Sequence, residues 1–219
     1  GNQIDFDYAD EEMLGRLYDV EKGPGKTPVL RVGKTTYTTV VVGKMTTVRS
    51  STLKVLEKFI AAGGKVIFAG DPPTLVDALP TEKASQVAAT ADKVGFSEQE
   101  LIARVKKYVN PAIQVIDPGT GKNLAGVFCQ VKKDGDRLIV AAINVDAEKS
   151  IPEAVIHITG KGNISEWECE TGKRYSVDCT ASEGMISIPT SFEPSGEKIF
   201  VVSPEVIQNP ETKTQPTGN

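Results

Sequence analysis

YTTVVVGKMTTVRSSTLKVLEKFIAAGGKVIFAGD (residues 37–71) decides the reading of the first half of the chain. Tyr37–Val42 is a β-branched run, the pattern of a buried strand. Leu53, Leu56 and Ile60 then fall on one helical face, with Ser50 or Ser51 placed to cap the free amides. Gly63-Gly64 closes that helix. Lys65-Val66-Ile67-Phe68-Ala69 follows as an apolar strand, ended by Gly70-Asp71-Pro72-Pro73. A strand–helix–strand unit of this length predicts a right-handed parallel crossover. Runs as apolar as 40–42 and 66–69 predict a sheet covered on both faces.

The flanks extend this pattern. Upstream, Met13, Leu14, Leu17 and Tyr18 follow Asp10-Glu11-Glu12 and predict a short amphipathic helix over Asp10–Tyr18. Glu21–Lys26 is a turn by its Gly and Pro content. Val29–Val32 reads as a strand and Gly33-Lys34 as a tight turn. Downstream, helices are predicted over 82–93 and 97–109. The second has Ser97 three residues before Glu100, a capping box, and Asn110-Pro111 stops it. Ile113–Ile116 reads as a further strand.

After about residue 123 the pattern changes. Gly126–Lys132 and Arg137–Val145 flank Lys133-Asp134-Gly135-Asp136, a two-residue hairpin signal. Ala154–Thr159 alternates, with Ala154, Ile156 and Ile158 on one face. Ile164–Cys169 and Arg174–Cys179 flank Thr171-Gly172, and Met185–Pro189 and Lys198–Val202 complete the set. Regular short strands without intervening helices predict an antiparallel β-sandwich. The expected organisation is an α/β domain over 1–122, the sandwich over 123–203 and an extended tail over 204–219. A hairpin centred between Thr171 and Gly172 pairs Cys169 with Arg174 and Cys179 with Ile164. All three cysteines, Cys129, Cys169 and Cys179, are then expected as small buried or half-buried hydrophobes rather than a disulfide framework.

The formal net charge of −4 and the absence of a basic cluster argue against a nucleic-acid partner. No apolar run reaches the ~18 residues of a membrane span. The opening Gly1-Asn2-Gln3-Ile4-Asp5 lacks the features of a signal peptide, and Gly1 reads as a cleavage scar. Gly25-Lys26-Thr27 and Gly33-Lys34-Thr35 both fail as phosphate loops, because Val20 and Pro28 stand where the first glycine is required. The single histidine, His157, lies on a strand and points away from the Ile156/Ile158 face. A His-based triad or multi-His metal site is therefore not expected. No metal or cofactor is implied. Paired carboxylates of the glycosidase type cannot be picked out by counting, since most acids sit at helix starts and turns. Asp71 stands apart. It follows the apolar strand 65–69 at its carboxyl end, where open α/β sheets bind ligands. It is a candidate ligand contact in a cleft, set against a plain turn and helix-start aspartate ahead of Thr74. Trp167 has a sandwich-core or sheet-surface role.

Residues 37–42, Ser51-Thr52-Leu53 through Phe59, and Ala62–Ile67 resemble the amidotransferase-like α/β domain of large multidomain glycoside hydrolases, of the beta-galactosidase and rhamnosidase types. Ile4–Tyr8 with Glu11-Glu12 fits the opening of that domain. Lys133–Ile139, Asn144, Ile164–Glu168 and Glu170-Thr171-Gly172 resemble the β-sandwich that closes such enzymes, with Glu168 where an Asp is common. The resemblance covers roughly residues 3–203. It implies a flavodoxin-like or class I amidotransferase-like three-layer α/β domain followed by the sandwich. It further implies a non-catalytic accessory region whose catalytic carboxylates lie on another domain of an exported parent polypeptide. No cysteine stands in a sharp turn after strand 65–69, so glutamine hydrolysis is not expected. The partners implied are that catalytic domain, carbohydrate, and further copies of the chain. A stand-alone carbohydrate-binding module and a degenerate amidotransferase or hydrolase are the alternatives.

Overall fold

A computed structural model describes residues 2–205 and residue 211 of the chain. The described chain is mixed and sheet-rich, and it divides into two units. One spans residues 6–110. The other is discontinuous, joining the opening residues through Asp5 to the chain from Pro111 onward. The tail expected over 204–219 lies outside the described residues except for Pro204, Glu205 and Glu211.

In the first unit the elements are α1 (Glu11–Leu17), β1 (Tyr18–Lys22), β2 (Pro28–Val32), β3 (Thr35–Tyr37), β4 (Thr39–Val42), β5 (Thr47–Val48) and α2 (Ser50–Ala61). They continue with β6 (Lys65–Ala69), β7 (Leu75–Val76), β8 (Leu79–Pro80), α3 (Lys83–Ala89), β9 (Asp92–Val94) and α4 (Glu98–Val105). β6 is the centre of a parallel sheet ordered β4-β6-β9, with Val41 opposite Ile67 and Ile67 opposite Asp92. β1-β2-β3 form an antiparallel sheet, and β5-β7-β8 a small mixed one. The buried side of α2, with Leu53, Val55, Leu56 and Phe59, belongs to one core with Val66 and Phe68 of β6. Side chains of this size contribute about 1.5–3 kcal/mol each when fully buried. Gly63 takes a φ of 90°, and a Cβ on Gly64 would lie 2.3 Å from the Phe59 ring, so the paired glycines let the chain turn back under its own helix.

Four local expectations for this unit are corrected. Tyr37–Val42 is two strands in two sheets: Tyr37 pairs antiparallel with Leu30, while Thr39 pairs parallel with Lys65. β4 is an edge strand with Val41 43% exposed, so only β6 is covered on both faces. Neither serine caps α2. The Asp77 carboxylate accepts from the Ser50 amide and the Glu11 carboxylate from the Arg49 amide, both at 3.0 Å. Two negative groups thus replace a neutral hydroxyl at the positive end of the helix. The helix expected over 82–93 stops at Ala89, and Asp92–Val94 becomes β9, where β6 supplies a hydrogen-bonding partner. The Ser97 cap does form, its Oγ accepting from the Glu100 amide at 3.3 Å.

The second unit contains β10 (Ile113–Ile116), β11 (Val127–Asp134), β12 (Arg137–Asn144), β13 (Ile151–Thr159), β14 (Asn163–Trp167), β15 (Arg174–Ser176), β16 (Thr180–Ser182), β17 (Met185–Phe192) and β18 (Glu197–Ser203). They form two antiparallel sheets, β10-β13-β17-β16 and β11-β12-β18-β14-β15. Ile156, Ile158, Ile188 and Phe192 of the first share one apolar core with Val127, Val140 and Phe200 of the second. The hairpin at Gly135-Asp136 has Asp134 opposite Arg137. Buried Asn144 ties two loops together, the one between β12 and β13 and the one between β17 and β18. Its amide nitrogen donates to the carbonyls of Lys149 and Glu193, and its oxygen accepts from the Asp146 amide.

The partition falls at 110/111, not 122/123. β10 pairs with β13, placing Val115 opposite Ile156 in the second core. The opening residues join it there. The Gln3 side chain accepts from the Val115 amide at 2.8 Å and donates to the carbonyls of Val115 and Leu124. It satisfies an edge-strand amide as a neighbouring strand would.

Two outcomes follow from these contacts. Gln3→Ala is expected to speed hydrogen exchange at the Val115 amide while leaving Ile67 in β6 protected, as amide exchange by NMR would show. Hydrogen bonds from the Ser50 hydroxyl and amide hold the Asp77 carboxyl below its usual range. Its stabilisation is therefore present above the ordinary carboxylate value near 4 and lost as pH falls through the depressed one. Asp77→Ala is expected to lower the thermal midpoint at neutral pH, the two proteins converging as pH falls below the ordinary carboxylate range. A difference constant across that range would contradict the cap.

Candidate functional site

The parallel sheet brings three loops to one edge. Lys44, Met45 and Thr46 follow β4; Asp71, Pro72 and Thr74 follow β6; Phe96 follows β9. The first six line a concavity of about 260 Å³. Asp71 is exposed at its rim, and β7 follows it, so it is not a helix-start residue. Among the described residues neither the Asp71 carboxylate nor the Lys44 ammonium engages an ion pair or side-chain hydrogen bond, so both remain available to solvent or ligand. Gly70 sits between the loops with φ 87°. A Cβ there would lie 3.2 Å from the Phe96 Cβ and 3.5 Å from the Lys44 Cβ. The glycine lets those two stems approach the same stretch of backbone.

The sheet runs β4-β6-β9 in chain order, without a reversal. The deep crevice of doubly wound folds arises where strand order reverses, so this edge offers a shallow ledge instead. Nor does β6 lead through a sharp turn into a helix. It leads through residues 70–74 into β7, which differs from the strand–turn–helix that exposes a nucleophile.

The other chemistry-bearing residues are dispersed. His157 Nδ1 lies 2.9 Å from Ser187 Oγ. The two are register partners on neighbouring strands, with Gln114 and Thr180 opposite them in turn. The row crosses a sheet face, and neither His157 nor Ser187 lines the concavity beside Asp71. Among the described residues no three His, Cys, Asp or Glu side chains converge as a metal site would require. No helix among them is long and apolar enough to cross a membrane.

The β14–β15 hairpin is shifted from the expected register: Arg174 faces Trp167, not Cys169, and Ser176 faces Ser165. The reason is a wider turn. The Glu168 carboxylate accepts from the Thr171 hydroxyl and, at 3.3 Å, from the Tyr175 hydroxyl, while the Glu168 amide donates to the Lys173 carbonyl. The Arg174 guanidinium lies 4.5 Å from the centre of the half-buried Trp167 ring, a cation–π contact. Cys169 and Cys179 are exposed, against expectation, and Cys129 is half-buried.

No family model matches the chain, and no curated protein matches it significantly. Among solved structures it is similar to part of a rhamnosidase from Novosphingobium sp. PP1Y, with a TM-score of 0.66 and 17% identity. That match covers 97% of this chain and 21% of the rhamnosidase. It is also similar to part of a beta-galactosidase from Bacillus circulans sp. alkalophilus, with a TM-score of 0.50 and 12% identity over 76% of this chain and 33% of that one. Both neighbours are glycoside hydrolases. At these identities the likeness is one of fold. The chain spans about a fifth of one neighbour and a third of the other.

Burial pushes the Cys129 thiol up to about 11. With a disulfide-exchange chromophore under native conditions near pH 8, two thiols per chain are expected to react promptly and the third only after denaturation. Three equally fast thiols would contradict the placement of β11.

Proposed function

We propose that this chain is a non-catalytic accessory region of a larger glycoside hydrolase. In this reading a flavodoxin-like or class I amidotransferase-like α/β layer and a β-sandwich support the catalytic domain of the parent polypeptide. That domain carries the carboxylates that act on the glycosidic bond. The supporting observation is the pairing of two coverages: 97% of this chain matches a rhamnosidase of which it spans 21%. A region so placed is one part of a longer enzyme in that neighbour. The absence of a strand–turn–helix after β6 supports a structural rather than hydrolytic use of the α/β layer.

In the same reading the parent is exported, further copies of the chain assemble with it, and Asp71 contributes a polar ligand contact at the sheet edge. The test is direct. The isolated chain is incubated with a panel of aryl glycosides, including rhamnoside and galactoside, and chromophore release is followed. No turnover above blank is expected. Robust turnover, abolished by replacing one or two carboxylates of this chain, would overturn the accessory reading.

A further inference from the structure

We infer that the carboxyl edge of the parallel sheet is a saccharide-binding ledge, on which a sugar ring stacks against Phe96 and places its hydroxyls on Asp71 and Lys44. The inference deepens the accessory reading and rests on it for the ligand class.

Phe96 is 70% exposed, comparable with Phe6 and Phe128, whereas Phe59, Phe68, Phe192 and Phe200 are fully buried; among the three exposed phenylalanine rings it is the one whose stem lies beside Gly70 and Lys44. Its exposure is not that of a loose loop. The Gly95 amide donates to the Glu100 carboxylate at 2.7 Å, and a Cβ on Gly95 would collide with that carboxylate. Ser97 caps α4 on the other side. The Val94 carbonyl accepts from the Gly70 amide at 3.0 Å. A large apolar ring is thus presented to water from backbone fixed on both sides, so its rotamer is the main freedom left to lose on binding.

The polar groups around it narrow the ligand. The adjoining concavity carries one carboxylate (Asp71), one ammonium (Lys44), two threonines (Thr46 and Thr74) and the apolar Met45 and Pro72. A sugar presents an apolar C–H face and a rim of hydroxyls that both donate and accept. An aromatic face flanked by an acceptor, a donor and hydroxyls matches that pattern. A phosphate ligand would meet a single cation beside an aspartate, whereas phosphate sites gather several N–H donors or cations. At about 260 Å³ the concavity is smaller than the ~300–1,000 Å³ of drug-sized pockets. It suits one sugar residue, held weakly because the ledge is open to water.

The full chain is titrated with methyl α-L-rhamnoside, methyl β-D-galactoside and, separately, inorganic phosphate, and amide shifts are followed by NMR. Saturable shifts at residues 44–46, 70–71 and 95–97 with at least one glycoside are expected, with millimolar dissociation constants. Phe96→Tyr keeps the binding. Phe96→Ala and Asp71→Asn each weaken it roughly tenfold, while the thermal midpoint stays near wild type because both side chains are exposed. No saturable shift with either glycoside, binding unchanged in Phe96→Ala, or the same shifts with phosphate would overturn the ledge. Each of those failures leaves the accessory reading intact, since its own test is turnover by the isolated chain.

Discussion

The first unit depends on hydrogen bonding to both edges of β6. Val66, Ile67, Phe68 and Ala69 are all buried, so their amides and carbonyls need partners within the protein. β4 and β9 supply them, both parallel. Parallel neighbours require the chain to cross back after each strand. That is why α2 lies between β4 and β6, and why β7, β8 and α3 lie between β6 and β9. One further consequence is the candidate site. Three parallel strands end on the same side, so the loops beginning at Gly43, Gly70 and Gly95 gather there without any dedicated scaffold.

In the second unit the corresponding constraint is the apolar core shared by two antiparallel sheets. Alternation along β13 and β17 places Ile156, Ile158, Ile186 and Ile188 inward. The opposite faces are left to polar rows such as Gln114, His157, Ser187 and Thr180. The lone histidine is explained by this geometry: its hydroxyl partner is a cross-strand neighbour rather than a nucleophile set in a pocket. Asn144 answers a different need, bonding to the carbonyls of Lys149 and Glu193 and to the Asp146 amide that loops leave unpaired at the end of the core.

Local pattern made much of this readable. The α2 stripe, the Gly63-Gly64 stop, the Ser97 cap and the Gly135-Asp136 hairpin are each decided by residues close in sequence. What was not readable depended on distant partners. Ile113–Ile116 is plainly a strand, but nothing in it says that its partner is β13 rather than β6. Thr90 through Lys93 reads as helix because no local signal announces that β6 has an open edge at Asp92. The α2 cap comes from Asp77 and Glu11, 27 and 38 residues from the amides they accept from. The place of Asp71 at the carboxyl end of an apolar strand was legible. Phe96 was not, because its position depended on recognising β9 and on the close approach at Gly70.

In the proposed function these two units serve a catalytic domain carried elsewhere on the same polypeptide. The most direct measurement is the mass of the native polypeptide, detected in its source with antibody raised against this chain and sequenced by mass spectrometry. A product several times longer than 219 residues is expected, with glycosidase activity that co-purifies with it. A native product no longer than this chain, with no such activity, would contradict the proposed function.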